Sequence, residues 1–248
     1  MSNIIAISIG DINGIGIEML LDLWKKNKIR KFVLFCNMTI LENYLNKKKI
    51  KIKINCVNLN NQNYKKNCFN IYDYKCSSPE ENTIRSIVYG YKECKKGNYL
   101  GLITLPLRKD KIIKKINRNF IGHTEFLQKL DNKNTSNMIL YHNKLIITPI
   151  TTHIKLKSVS STINKKKFLF NKIISLNKCL IKDFNIKKPK ILISGINPHS
   201  GENGKIGNEE IKFINGSVLS LGLCGLEENY YHCWVEFASR IYAFKQSN

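Results

Sequence analysis

A chain of 248 residues with 43% hydrophobic content can form one large α/β domain or two closely packed smaller ones around a sizeable core. No stretch nears the ~20 apolar residues of a bilayer span, and no N-terminal run joins a basic start, an apolar core and a small-residue cleavage site. The expectation is a cytoplasmic protein without a membrane partner. The formal charge of +23 would ordinarily point to nucleic acid or an anionic surface, but Lys is spread through nearly every polar stretch with Asn and Ile, as in Lys111 to Asn119 and Asn164 to Lys172. That pattern reads as drift toward AT-rich codons, and no interleaved aromatic and basic stripe marks a single-strand-binding surface.

In chain order, apolar runs alternate with amphipathic stretches, which predicts βα units and a largely parallel sheet. Ile4 to Ile9 reads as a first strand, followed by a glycine-rich turn and a helix from about Ile17 to Lys26. Lys31 to Cys36 reads as the second strand. Lys47 to Lys75 is polar and weakly patterned, short strands joined by loops. Glu80 to Cys94 has helical spacing, and Tyr99 to Thr104 is a short strand running into Pro106. Leu145 to Pro149 is a strand ending at Thr151-Thr152-His153, and Lys190 to Ser194 a strand ending at Gly195-Ile196-Asn197-Pro198-His199. From Asn215 onward only Arg240 and Lys245 are basic, while Glu227, Glu228 and Glu236 are acidic. A frame change, a fusion scar or an unusual insertion would each produce that shift. The eight cysteines include no C-x-x-C pair, so they are expected to be mostly reduced, buried, small hydrophobes.

Four constellations carry potential chemistry. Gly10-Asp11-Ile12-Asn13-Gly14-Ile15-Gly16-Ile17-Glu18 follows a strand and precedes a helix. It is either an anion cradle at helix N-terminal amides or a tight βα turn with Asp11 satisfying nearby amides. In Gly122-His123-Thr124-Glu125-Phe126, the His–Thr pair suits a substrate's phosphate or hydroxyl oxygens, while Glu125 equally suits a helix-start cap. His153 and His199 each stand just past a predicted strand. Carboxyl ends of parallel strands are where open α/β sheets bind ligands, so the two imidazoles can converge on one divalent metal or serve separately as hydrogen-bonded loop residues.

Taken together, GDINGIGIE at 10–18, ITLPLRKD at 103–110, GHTEFL at 122–127, TTHIKLKSV at 151–159 and INPHSGENGKIGNEE at 196–210 resemble the 4-hydroxythreonine-4-phosphate dehydrogenase family, in the same order, over about residues 3 to 213. The resemblance implies a two-domain α/β fold similar to isocitrate and isopropylmalate dehydrogenases, C-terminally incomplete. The expected layout is an N-terminal domain over 1–118, a partial second domain over 119–213 and a divergent tail over 214–248. It implies a homodimer with the active site in a cleft at the interface, His123 and Thr124 on the substrate, and His153 and His199 on a divalent metal (zinc, magnesium or cobalt). The implied reaction is metal-assisted oxidation of 4-phosphohydroxy-L-threonine by NAD or NADP, then loss of carbon dioxide to give 3-amino-2-oxopropyl phosphate in vitamin B6 synthesis. A dehydrogenase of a related four-carbon phosphorylated acid and an inactive truncated remnant are the alternatives.

The sequence departs from the family at identifiable places. Ile12 and Ile17 replace usual prolines, and Leu105 replaces a usual glycine before Pro106. The family's third metal histidine lies in a Tyr-His-Asp-Gln-Gly motif. Here His232, in Tyr230-Tyr231-His232-Cys233-Trp234, is the only histidine after His199, lacks that continuation and follows His199 too soon. The dispersed positive charge leads to one prediction outside this family: binding to polyanions collapses with added salt and ignores sequence. Titration of two unrelated duplexes across a salt series checks it, and nanomolar, sequence-selective binding at physiological salt would overturn it.

Overall fold

The first apolar runs are rich in Ile, Val and Phe on both alternating faces, as strands covered on both sides require. The computed structural model describes residues 3–58, 63–143, 145–165, 167–215 and 232–236, which divide between two compact units, Met1–Leu130 and Asp131–Asn248. In the first unit β1 (Ile5–Ser8), β2 (Phe32–Phe35), β3 (Ile54–Cys56), β4 (Phe69–Tyr72) and β5 (Leu102–Thr104) form a sheet in the order β3-β4-β2-β1-β5. All its pairings are parallel. Alternation sorts β2 cleanly. Phe32 and Leu34 join the core on one face with Ile7, Ile17, Leu20, Leu21 and Phe69, whereas Val33 and Phe35 join Ala6, Tyr74 and Tyr99 on the other.

The helices follow from their stripes and caps. Helix α1 (Ile15–Lys25) buries Ile17, Leu20 and Leu21, the i, i+3, i+4 spacing of one helical face. It starts before the predicted Ile17 because Gly14 serves as its N-cap. Helix α2 (Met38–Lys47), absent from the reading of the sequence, is started by Asn37, whose side chain accepts from the Ile40 N–H. Helix α3 (Pro79–Lys95) is capped by Ser78, which accepts from the Glu81 N–H, and has Pro79 in its first turn, where the missing N–H has no intrahelical partner to lose. Apart from the fully buried Ile87, its buried face is mostly polar or small, and includes Asn82, Thr83, Ser86, Gly90 and Glu93. Each of those polar side chains is bonded, Asn82 to Tyr74 and the Asn37 N–H, Thr83 to the Gly10 carbonyl, Ser86 to the Thr83 carbonyl, and Glu93 to Lys96 and Asn98. Helices α4 (Lys109–Lys115) and α5 (His123–Leu130) close this unit. Phe126 of α5 packs on the buried Phe120 ring at 5.6 Å between centroids.

In the second unit, β6 (Leu140–His142) and β7 (Leu145–Pro149) form an antiparallel pair. A short 3-10 turn at Leu156–Ser158, helices α6 (Val159–Ile163) and α7 (Phe168–Lys182), and β8 (Lys190–Ile193) follow. The α7 stripe Leu169, Ile173, Leu176 and Leu180 is buried with Ile146 of β7 and Ile191 of β8. A last strand, β9 (His232–Glu236), lies between β7 and β8, parallel to both. It comes from the span expected to be a divergent tail. Residues 216–231 and 237–248 of that tail lie outside the described residues.

The cysteines depart from expectation. Of those described, Cys36 and Cys68 are buried, Cys76, Cys94 and Cys179 are half-buried and Cys56 is exposed; all are free thiols. Sulfur-sized positions at strand ends and on outward helix faces need no full burial, whereas Cys36, just past β2, lies inside the core, and burial pushes its thiol up to about 12. The aromatic contacts Trp24–Phe69 and Phe32–Phe69, edge-on at 5.5 and 5.4 Å, make Phe69 the keystone of this core. Phe69→Ala is expected to lower unfolding free energy by about 3–5 kcal/mol, measured by chemical denaturation with tryptophan fluorescence.

Candidate functional site

In the first unit the sheet order reverses between β1 and β5, and the crevice outside the carboxyl ends of such strands is where α/β sheets take ligands. The loops there are Gly10–Gly14 after β1 and Leu105–Arg108 after β5. A cleft lined by Asp11, Asn13, Glu80, Thr83, Arg108 and Lys111 opens beside them. The glycines serve packing. Gly10 has φ +64°, and a Cβ on it would stand 2.3 Å from the Pro106 carbonyl oxygen. A Cβ on Gly16 would stand 2.9 Å from the Pro106 ring. Asp11 accepts from the Asn13 N–H at 3.1 Å, and its carbonyl accepts from Gly14. The segment is therefore the tight βα turn of the two readings, with Asp11 also 3.5 Å from Lys111.

His123 and Thr124 sit in the first turn of α5 with Glu125, and the Phe126 N–H bonds the Gly122 carbonyl. Both are half-buried. His123 Nε2 is buried and has no hydrogen-bond partner among the described residues, the condition in which a bound ligand completes a polar group. Burial, with Lys109 as a lesser cause, holds the imidazole below its ordinary range, so it is neutral at pH 7.

His153 and His199 belong to the second unit. His153 follows β7 and His199 follows β8; β7 and β8 run parallel to the intervening β9, so both histidines leave the sheet at the carboxyl edge. Both are exposed. The buried hydroxyls of Thr148 and Thr151, beside His153 in sequence, have no hydrogen-bond partner among the described residues. Register also places His232. It pairs with Lys190, the first residue of β8, so it lies at the amino edge of β9, a strand's length of roughly 13 Å from the edge that His153 and His199 follow. The strand reaches that edge at Glu236, whose register partner is Pro149. His232 is therefore not placed to join the two histidines. No group of three metal-ligating side chains occurs among the described residues, but two imidazoles leaving one sheet edge suit a divalent ion in donor chemistry.

Among the described residues, the loop carrying His199 holds the longest run of left-handed backbone. Five consecutive residues, His199 to Asn203, have left-handed φ/ψ, which costs roughly 1 kcal/mol for each residue with a Cβ. A carboxylate holds this turn from beneath. Glu210 Oε1 accepts from the Ile196 and Asn197 N–H groups, both at 2.8 Å, and Oε2 accepts from Asn197 Nδ2 at 3.0 Å. Burial pushes the Glu210 carboxyl up, but the bonds from Asn197 and Ile196 prevail and hold it below its ordinary value. Glu209 accepts from Asn197 Nδ2 at 2.8 Å and from Ser160 Oγ at 3.0 Å. The Ser160 bond ties the segment after His153 to the segment after His199. The reading of the sequence missed this network; its visible signal was the Asn197 and Glu209-Glu210 pairing around a glycine-rich turn.

A family model described as pyridoxal phosphate biosynthetic protein PdxA matches residues 28–226. A 4-hydroxythreonine-4-phosphate dehydrogenase of Sulfurihydrogenibium sp. (strain YO3AOP1) is 34% identical over 233 residues, covering 90% of this chain and 72% of the relative. A D-threonate 4-phosphate dehydrogenase of Pectobacterium atrosepticum is 34% identical over 131 residues, 53% of this chain and 39% of the relative. A crystal structure of 4-hydroxythreonine-4-phosphate dehydrogenase from Klebsiella pneumoniae aligns with TM-score 0.80 at 24% identity, over 95% of this chain and 80% of that one. The fold is thus the α/β, isocitrate dehydrogenase-like type expected.

The buried imidazole yields a prediction with a definite sign. Because the folded chain binds the His123 proton less readily than the unfolded chain, stability is full above the unfolded value near 6.5. It falls as pH drops from there toward the lower folded value. His123→Gln is expected to flatten this part of the profile, measured as the unfolding midpoint across pH 5 to 8. A profile identical to the native one would refute the assignment.

Proposed function

The chain belongs to the family of pyridoxal phosphate biosynthetic protein PdxA, an oxidoreductase family, and on that premise we propose that it oxidises 4-phosphohydroxy-L-threonine with NAD or NADP. Decarboxylation to 3-amino-2-oxopropyl phosphate follows, in vitamin B6 synthesis. The working state is a homodimer in the cytoplasm, with a divalent metal, zinc, magnesium or cobalt, as cofactor. The observation that supports this reading is the departure of the His153 and His199 segments from parallel strands at one edge of a sheet, joined by the Ser160–Glu209 bond.

His153 and His199 would hold the metal, which would supply Lewis-acid polarisation of a substrate oxygen, and NAD or NADP would serve as the hydride acceptor. The neutral His123 can donate or accept a single hydrogen bond to a substrate oxygen without adding charge, and the Thr124 hydroxyl stands next to it on the same helical turn. Placing both on a helix holds them in rotamers that a loop would leave free, so less order is lost when substrate binds.

A second reading is favoured by the Pectobacterium relative, which acts on D-threonate 4-phosphate: the substrate is another four-carbon phosphorylated acid. Reduced-nicotinamide absorbance with each substrate, with zinc, magnesium or cobalt added, separates the two. Metal-dependent turnover on the order of 1 per second or faster is expected on one of them. Absence of turnover on both, with the fold intact, would leave the inactive-remnant alternative. The His153→Ala, His199→Ala double variant is expected to lose bound metal, and unchanged stoichiometry and affinity would remove both residues from the ligand set.

A further inference from the structure

We propose that Glu210 is the positioning residue of the His199 imidazole, fixing it at the carboxyl edge of β8 through the amides of Ile196 and Asn197; this rests on the reading of His199 as a metal ligand. Strand β8 ends at Ile193, and a chain leaving a strand end would swing freely over the residues that separate it from His199. Glu210 removes that freedom at two successive amides, Ile196 and Asn197, each at 2.8 Å from one carboxylate oxygen. Pro198 comes next, with its ring-locked φ. Only a few torsions then separate an anchored amide from the imidazole. The turn beyond is fixed from the other side. The Ser200 N–H bonds the Asn197 carbonyl at 3.2 Å, and the Ile206 N–H bonds the Gly201 carbonyl at 3.1 Å. A Cβ on Gly201, at φ +80°, would stand 2.4 Å from the Gly207 carbonyl oxygen and 3.0 Å from Glu210 Oε2. The carboxylate is thus packed directly under the left-handed turn, and glycine stands where that packing is tightest.

Glu210 is 5% exposed and is bonded to backbone and amide donors. Glu210 acts through the backbone that it anchors, one step further back than a partner bonded to the ligand ring, and so would set ligand orientation without touching the ion. Glu209 extends the same arrangement to the His153 side through Ser160.

The test is Co2+ affinity of the full-length apo chain, followed by its visible absorption. Glu210→Ala is expected to weaken Co2+ binding by roughly 10- to 100-fold and alter the spectrum, with far-UV circular dichroism unchanged. Glu210→Gln should bind more tightly than the alanine variant and less tightly than the native chain, because its amide oxygen can still accept both N–H groups while its NH2 faces Asn197 Nδ2 and the charge is lost. Glu93→Ala, which removes a buried carboxylate bonded to Lys96 and Asn98 of the first unit, should lower stability and leave Co2+ affinity unaltered. If Glu210→Ala does not fold, Glu210→Asp carries the test, since it withdraws the carboxylate by one methylene and should show the same loss. Native affinity and spectrum in the alanine or aspartate variant, while His199→Ala abolishes binding, would overturn the positioning role alone. Native binding in His199→Ala would remove the ligand reading, and the positioning role with it.

Discussion

Parallel pairing is the constraint on which the candidate sites depend. When strands run the same way, every chain segment leaving a strand emerges at one edge, so loops distant in sequence are gathered without any attraction between them. In the first unit this brings the turn after β1 against the turn after β5, where Gly10 and Gly16 allow contact with Pro106 that a methyl group would block. In the second unit it sends the segments after β7 and β8 to the same edge. The antiparallel β6–β7 pair lies at the margin of that sheet and leaves this arrangement intact.

Gathering two loops is not the same as fixing their side chains, and the two histidine segments are fixed by different means. The His199 turn adopts conformations disfavoured for residues with a Cβ, so it must be over-determined by its surroundings to persist. Glu210, Asn197 and the backbone bonds across the turn supply that determination. His153 likewise has positive φ, at 55°, between buried Thr151 and the short helical turn at Leu156–Ser158. The bond from Ser160 to Glu209 is where the two segments meet in one hydrogen-bond network.

Strands β1, β2, β7 and β8 were legible because apolar runs bounded by turn residues have few other uses in a folded chain. Helix α2 was not, since its signal is the single cap Asn37 ahead of a stretch whose buried residues are only Leu41, Tyr44 and Leu45. The polar inner face of α3 shows the reverse problem. Polar residues such as Asn82, Thr83 and Ser86 carry no pattern that marks burial, yet tertiary partners elsewhere in the unit let them be buried. That His153 and His199 follow strands was legible in the sequence, and motif resemblance singled them out. Neither source reveals that His199 opens a left-handed turn or that Glu210 braces it, because both depend on residues on opposite sides of a loop closing on one another. His232 shows the limit of spacing alone: only strand register reveals that it begins β9 at the far edge.

The large positive charge acts on these sites at a different range from the bonds that build them. A net charge of +23 attracts a phosphorylated acid and opposes a divalent cation, but at physiological ionic strength such effects fade beyond about 8 Å. Within that distance, specific carboxylates dominate. The 18 acidic residues are outnumbered by 41 basic ones, yet two of them, Glu209 and Glu210, stand just after the turn that carries His199 and are bonded by neutral donors. Neutral donors leave a carboxylate's charge uncancelled, unlike an ion pair with lysine. Glu209 and Glu210 thus set negative charge beneath the histidine turn, while the dispersed lysines set a longer-range field of the opposite sign.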